Sequence, residues 1–261
     1  MRGARGGRWW LAWPAVGFSV LVLAGWQLGT AWSGISPLLL PSPLQVAQSL
    51  GRNAGLLASN AVVTVQEILL GFALSALGGV ALGILLNASR LAERAVYPWL
   101  VASQMVPIVA VAPILVVWFG FTIVPKVLVV ALVGFFPVVV NTLDGLKATD
   151  PELITLVRTL GMSRWRIMRT VRIPSALPYV FSGLKVAMAF SVVGAVFGEW
   201  VGSSAGLGYL MLALNNQLAT VDLFAAVFVL SALGIALFFL VGLVERLVIP
   251  WHHRARQAAA G

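Results

Sequence analysis

Cysteine is absent from the 261 residues, which excludes disulfides and thiolate metal sites. Histidine occurs only twice, as the adjacent His252 and His253. Charged residues make up 10% of the chain, whereas a soluble domain carries roughly 25%. That shortage excludes an ordinary soluble enzyme and a disordered chain. No glycine is followed directly by lysine, so the G-x-x-x-x-G-K phosphate loop is missing. The chain is not expected to hydrolyse ATP by itself. No metal ligand set is expected.

What is present is apolar: 60% of residues are hydrophobic and the mean hydropathy is +0.99. A spanning helix needs about 20 such residues. The pattern predicts an all-α polytopic membrane protein with six spans, at about 11–32, 58–86, 96–119, 124–143, 179–200 and 223–244. They form one transmembrane domain over 1–261. Arg2, Arg5 and Arg8 before an apolar run would suit a secretory signal. The run is too long for that and no A-x-A site follows, so it is read as a retained helix.

The remaining charge is lopsided. Six spans put both ends of the chain on one side, which collects 14 of the 17 basic residues. Arg52 and Lys126 fall on the other side, and Lys185 lies inside the fifth span. The positive-inside rule then places both termini in the cytoplasm. It also explains the net charge of +9 without nucleic acid. Trp9, Trp10, Trp32 and Trp251 suit interfacial belts.

Two outer segments stand out. Pro37, Pro41 and Pro43 stiffen a turn, after which Leu44, Ala47, Leu50, Leu56 and Leu57 suit an interfacial helix. The stretch 201–222 carries Gly202, Gly206 and Gly208 and then Asn215, Asn216 and Gln217. It reads as a loop with a short surface helix.

The segment 144–178 is the long cytoplasmic connection. Thr149 with Glu152 fits a capping box, and Asp150 capping with Pro151 at the first helical position fits equally well. Leu153, Leu156, Val157 and Leu160 mark one apolar face. Gly161 suits a left-handed terminator. Ser163 can cap a second helix with Trp165, Met168 and Val171 on one side and Arg164, Arg166, Arg169 and Arg172 on the rest, ended by Pro174. Periodicity alone leaves two readings open: a docking hairpin, or a surface hairpin whose arginines face anionic lipid.

The sequence from Asp150 to Pro178 resembles the cytoplasmic signature of ABC importer permeases. That signature is Glu-Ala-Ala, three residues, Gly, nine residues, Ile, one residue, Leu-Pro. Here the Gly is Gly161, the Ile position is Val171, and Leu-Pro falls on Ile173-Pro174. The triplet falls on Thr155-Leu156-Val157, so the usual acidic contact is missing. Leu40-Pro-Ser-Pro43, Gly71-Phe72, Trp118-Phe-Gly120, Phe136-Pro137 and Gly206-Leu-Gly208 look like the nitrate, sulfonate and taurine branch. Related systems import thiamine-pyrimidine precursors or riboflavin, and Phe224-Ala-Ala226 and Glu245-Arg246 before Pro250-Trp251 look somewhat more like the pyrimidine-precursor group.

The resemblance implies the fold of a type I importer permease in the bacterial inner membrane. It implies a dimer of such subunits, a cytoplasmic ABC ATPase dimer carrying ATP and magnesium, and an extracytoplasmic solute-binding protein. No cofactor is expected on this chain. The cargo would be a small polar or anionic nutrient. Thr155, Leu156, Val157, Arg158, Gly161, Ser163, Arg164, Trp165 and Arg166 would couple to the ATPase.

Glu199, Glu67, Pro107 and Pro113 are the pathway or gate candidates. Intramembrane acids usually face a cavity or a partner. Glu199 can alternatively be wetted by head groups beside Trp200, and Glu67 can make an interhelical hydrogen bond. Lys185 is expected to snorkel. Pro107, Pro113 and Pro137 are expected as kinks inside spans, and Gly71, Gly78, Gly79 and Gly83 as packing positions.

Two other functions compete with this reading. A serine hydrolase would need Ser203 or Ser204 to meet His252 or His253, across a bilayer core of ~30 Å. An ion-coupled secondary transporter is the stronger rival, although internal repeats are missing and a docking hairpin would be surplus to it.

Overall fold

The computed structural model describes residues 13–251. Arg2, Arg5, Arg8, Trp9, Trp10, His252, His253, Arg254, Arg256 and the first two residues of the span at 11–32 lie outside the described residues. Every regular element among those described is helical. They are α1 (Trp13–Trp32), α2 (Pro43–Arg52), α3 (Ala54–Ala88), α4 (Arg90–Ser103), α5 (Ile108–Phe119), α6 (Ile123–Lys147), α7 (Pro151–Thr159), α8 (Arg164–Ile167), α9 (Ile173–Gly202), α10 (Leu207–Asn216) and α11 (Thr220–Val248). A π-helical turn, Met168–Arg172, joins α8 to α9.

Among the described residues, four helices are long and apolar enough to cross a bilayer: α3, α6, the continuous Arg164–Gly202 rod and α11. The expected single span at 96–119 is instead a broken pair. α4 and α5 meet at 97°. Pro107 is not inside a span but occupies the N-cap of α5 with an extended backbone. It has no N–H with which to continue the α4 ladder, and it disfavours helix at the residue before it. With 12 residues α5 reaches only about 18 Å at 1.5 Å per residue. Pro113 does lie within a helix, α5, and Pro137 within α6.

α6 is the central helix, held between α3 and α9. Along α3 the buried seam runs Thr64, Glu67, Gly71, Ser75, Gly79 and Gly83. A Cβ at Gly79 would stand 2.8 Å from Val138 and one at Gly83 2.7 Å from Thr142. The expected packing glycines therefore serve a seam within the subunit. On the other side Gly194 and Gly198 bring α9 onto the α6 backbone, where a Cβ would lie 3.1 Å from the Cα of Val130 or Lys126. Small residues let backbones approach and gain dispersion contacts where lipid offers no hydrophobic drive.

α11 closes the bundle. Leu237 and Val241 pack with Phe181, Met188 and Ala195 of α9 and Ile68 of α3. At the outer end Ala225, Ala226 and Leu230 pack with Leu207, Leu210 and Leu214 of α10 and Val46 of α2. α10 is thus a core element rather than the expected surface helix. α2 also departs from expectation. Its buried face is Val46 and Ser49, Leu44 is exposed, and Leu56 and Leu57 belong to α3. Ser42 and Gln45 form its capping box. Asp222 of α11 ties it down, accepting from Ser49 Oγ at 2.6 Å and Asn53 Nδ2 at 3.0 Å. Trp26 of α1 stacks on Phe228 of α11 at 6.0 Å.

Lys185 does not simply snorkel: its ammonium pairs with Glu245 of α11. Lys126 is no free outer charge. It sits buried in the first turn of α6.

Candidate functional site: a polar knot and a helical hairpin at opposite ends of the bundle

The polar knot begins on α3. Asn60, Thr64 and Glu67 follow one another at helical spacing and face inward together. Lys126 Nζ lies 3.0 Å from Glu67 Oε1 and donates to Ser203 Oγ at 2.8 Å. Glu199, from the last turn of α9, is 1% exposed. Thr64 Oγ1 donates to its Oε1 at 2.6 Å. The backbone N–H groups of Gly208 and Tyr209 donate to its Oε2 at 2.5 and 3.1 Å. Glu67 and Glu199, two separate pathway candidates in the sequence, thus belong to one cluster. The reading of Glu199 as a wetted interfacial residue fails, because protein donors replace the head groups.

This geometry explains Gly206-Leu-Gly208. Gly206 has φ +112°, a region that L side chains avoid, and a Cβ on it would strike the Glu199 carboxyl. A Cβ on Gly208 would lie 2.9 Å from Oε2. The chain must pass close over the carboxylate for the first N–H groups of α10 to reach it. Those groups have no partner within the helix, and an acid there is favoured by the helix dipole. Asn60 Oδ1 accepts from Gly206 N and Thr64 Oγ1 from Leu207 N, both at 2.8 Å. Asn60, Thr64, Lys126 and Ser203 are not among the pathway candidates read from the sequence. Asn60 and Thr64 carry a signal, since each lies on the helix face of Glu67.

Replacing Glu199 by Gln is expected to loosen this turn. The glutamine oxygen can still accept from the two N–H groups, but without the charge, and the amide nitrogen that faces Thr64 Oγ1 no longer accepts its proton. Charge-assisted hydrogen bonds contribute about 1.5–3 kcal/mol, so local opening should rise about tenfold or more. The substitution Ala205→Cys, in a chain with no cysteine of its own, reports the opening by maleimide labelling. Equal labelling rates with and without Glu199→Gln would remove the anchoring role.

At the other end, Asp150 caps α7, accepting from Glu152 N at 2.8 Å, and Pro151 takes the first turn. Thr149 instead bonds back to Leu146 O, so the second of the two capping registers forms. Gly161 adopts φ +80°. Gly161 N donates to Arg158 O at 3.0 Å and Met162 N to Val157 O at 3.1 Å, which is a Schellman closure. Ser163 Oγ then accepts from Arg166 N and opens α8. Pro174 does not end that helix. The π turn ahead of it shifts the hydrogen-bond register, and the rod continues to Gly202.

Thr155, Leu156, Arg158, Gly161, Ser163, Arg164, Trp165 and Arg166 are exposed on the hairpin, and Val157 among them is half-buried. Leu156 and Leu160 are 57% and 74% exposed. The face toward the bundle is carried by Ile154 and Ile167, both buried. The hairpin therefore presents an apolar ridge away from the bundle, with no partner among the described residues. The polar knot and the hairpin stand at opposite ends of the bundle.

Comparison with known proteins agrees with this architecture. Over 238 residues the chain is 38% identical to the formylaminopyrimidine transport permease ThiX of Halalkalibacterium halodurans, covering 91% of this chain and 95% of that protein. It is also 38% identical to the riboflavin transport system permease RibX of Chloroflexus aurantiacus, covering 92% and 91%. The taurine transport permease TauC of Escherichia coli is 28% identical over 91% of this chain and 89% of its own. An amino acid ABC transporter solved with histidines shares the fold, with a TM-score of 0.61 at 18% identity over 78% of this chain and 97% of that one. Residues 75–251 match the family described as binding-protein-dependent transport system inner membrane component. With its hairpin, its apolar rods and these relatives, the chain belongs to that family, as a multi-pass inner-membrane permease subunit of an ABC importer.

Proposed function

We propose that this permease forms one half of a homodimeric pathway, with α1, α3, the α4–α5 pair, α6, α9 and α11 as six crossings of one domain and both termini in the cytoplasm. Basic residues concentrated on the hairpin side support that orientation. A separate ABC ATPase, which carries ATP and magnesium, seats the hairpin. Thr155, Leu156, Val157, Arg158, Gly161, Ser163, Arg164, Trp165 and Arg166 form the docking segment. Its missing acidic contact shifts the burden of docking to the apolar ridge.

The observation that carries this reading is the continuous Arg164–Gly202 rod. It joins the hairpin directly to Glu199, about 50 Å away at 1.5 Å per residue. Movement of the ATPase is delivered to the outer knot along one helix, without passing through a loop. Glu199 and Glu67 hold the outer turn, and Pro107 and Pro113 shape the bent pair beside it. An extracytoplasmic binding protein delivers solute to this face. The higher identity to the pyrimidine-precursor and riboflavin permeases than to the taurine permease favours a nitrogen heterocycle over an alkyl sulfonate as cargo.

Mild-detergent purification from the native host tests the assembly. An ATPase chain at one copy per permease is expected, with nucleotide hydrolysis. A permease that is pure and alone, yet takes up solute in vesicles under an ion gradient, would point to a secondary transporter instead.

A further inference from the structure

Between the cytoplasmic end of α3 and the inner side of the hairpin lies an open cavity of about 460 Å³. Among the described residues, three arginines line it, Arg158, Arg164 and Arg172, and no acidic residue does. None of the three takes part in an ion pair among the described residues. Asn87 also lines it, and its buried Nδ2 has no hydrogen-bond partner. The floor is apolar, with Ile84 and Ile167. Three like charges gathered around one space without a counterion repel one another, and a buried amide donor without an acceptor costs free energy.

We propose that this cavity is an anion site that takes a phosphoryl group, with Arg158, Arg164 and Arg172 as its fork donors and Asn87 Nδ2 at its base. Guanidinium groups bind phosphoryl oxygens in bidentate fashion, and several planar forks around one tetrahedral oxyanion satisfy it better than a carboxylate. The cavity is larger than an inorganic anion needs, and its apolar floor suits a glycerol backbone or the start of an acyl chain. The phosphoryl group can therefore come from an anionic lipid of the cytoplasmic leaflet or from free phosphate.

The cavity shares Arg158, Arg164 and Trp165 with the proposed docking segment but none of the leucines of its apolar ridge. At about 100° per residue, Ile154 and Arg158 share one side of α7, and Leu153, Leu156 and Leu160 lie on another, roughly 150° around the helix axis. The Arg172 end of the cavity belongs to the π turn. An occupant would tie the hairpin, the π turn and α3 together at the foot of the rod.

The full-length permease tests this without its ATPase, so the outcome is separate from that of the coupling assignment. Native mass spectrometry counts phosphatidylglycerol retained after exchange against phosphatidylcholine, and calorimetry titrates inorganic phosphate. Saturable retention of phosphatidylglycerol identifies the lipid source, and phosphate binding without lipid retention identifies the free anion. Either affinity is expected to fall about tenfold in Arg172→Gln and in Asn87→Leu. It should be partly kept in Arg172→Lys and unchanged in Arg169→Gln, which alters the same turn outside the cavity. Ile84→Phe, which fills the floor without touching a charge, is expected to weaken lipid retention. Absence of binding by the native chain to both probes overturns the proposal. So does binding that is indifferent to both Arg172→Gln and Asn87→Leu.

Discussion

Gly161→Arg is expected to abolish solute uptake and transport-stimulated ATPase activity while the permease still reaches the membrane at its normal level. The corner is built from local bonds: the Schellman pair closes α7 and Ser163 opens α8. A non-glycine residue at φ +80° costs about 1–2 kcal/mol, too little to unfold four long apolar helices. No atom lies within 4 Å of a Cβ built at this position, so nothing inside the permease resists the new side chain. A long cation there projects from the corner that the ATPase groove would have to enclose. Gly161→Ala separates strain from bulk, since it carries the φ cost alone and is expected to lose about tenfold at most. Vesicle uptake with co-purified ATPase measures both. Normal uptake by the arginine variant would remove the hairpin from the coupling path.

Lys126→Met is expected to destabilise the protein by about 3–5 kcal/mol, the usual result of leaving one member of a buried ion pair alone. Glu67 is fully buried and Lys126 nearly so. The substitution strands the buried Glu67 carboxyl without its partner. It also removes the donor to Ser203 at the turn below α10. The double variant Glu67→Leu with Lys126→Met removes both charges together. It is expected to recover most of the loss, because apolar groups of similar volume replace a buried pair at little cost. Thermal unfolding in detergent of the two single variants and the double gives the coupling. A Lys126→Met protein as stable as the parent would show that the pair holds nothing.

The two substitutions act at opposite ends of the Arg164–Gly202 rod, and their phenotypes should differ accordingly. The hairpin variant should remain as stable as the parent but uncoupled from ATP. The Lys126 variant should lose stability first, with transport failing because the outer turn is no longer held.

The first helix of the hairpin and its glycine corner are legible in the sequence, whereas the end of the second helix is not, since the rod runs on through Pro174. The legible signals act within a few positions: Asp150 with Glu152, Pro151 in the first turn, Gly161 after the last periodic leucine, Ser163 before α8. The long apolar rods are legible for the same reason, since hydropathy is a property of each segment alone. The packing role of Gly71, Gly79 and Gly83 is visible as well. Their partners on α6 are not, because a stripe of small residues does not say which helix it meets.

Where expectation and structure part, the deciding contact joins distant segments. Lys185 meets Glu245 across 60 positions and Thr64 meets Glu199 across 135. Neither pairing leaves a local trace, because each depends on the order and rotation of helices around α6. Pro107 shows the same division. Its missing N–H foretells a break, but only the surrounding helices set α4 against α5 at 97°. Hydrogen bonding and apolar periodicity are local, so the helices, their caps and the glycine corner follow from the order of residues along the chain. That Glu67, Lys126 and Glu199 form one knot, that α10 folds into the core, and that three arginines share a cavity follows only from the packed bundle, because each needs side chains from several helices at one point in space.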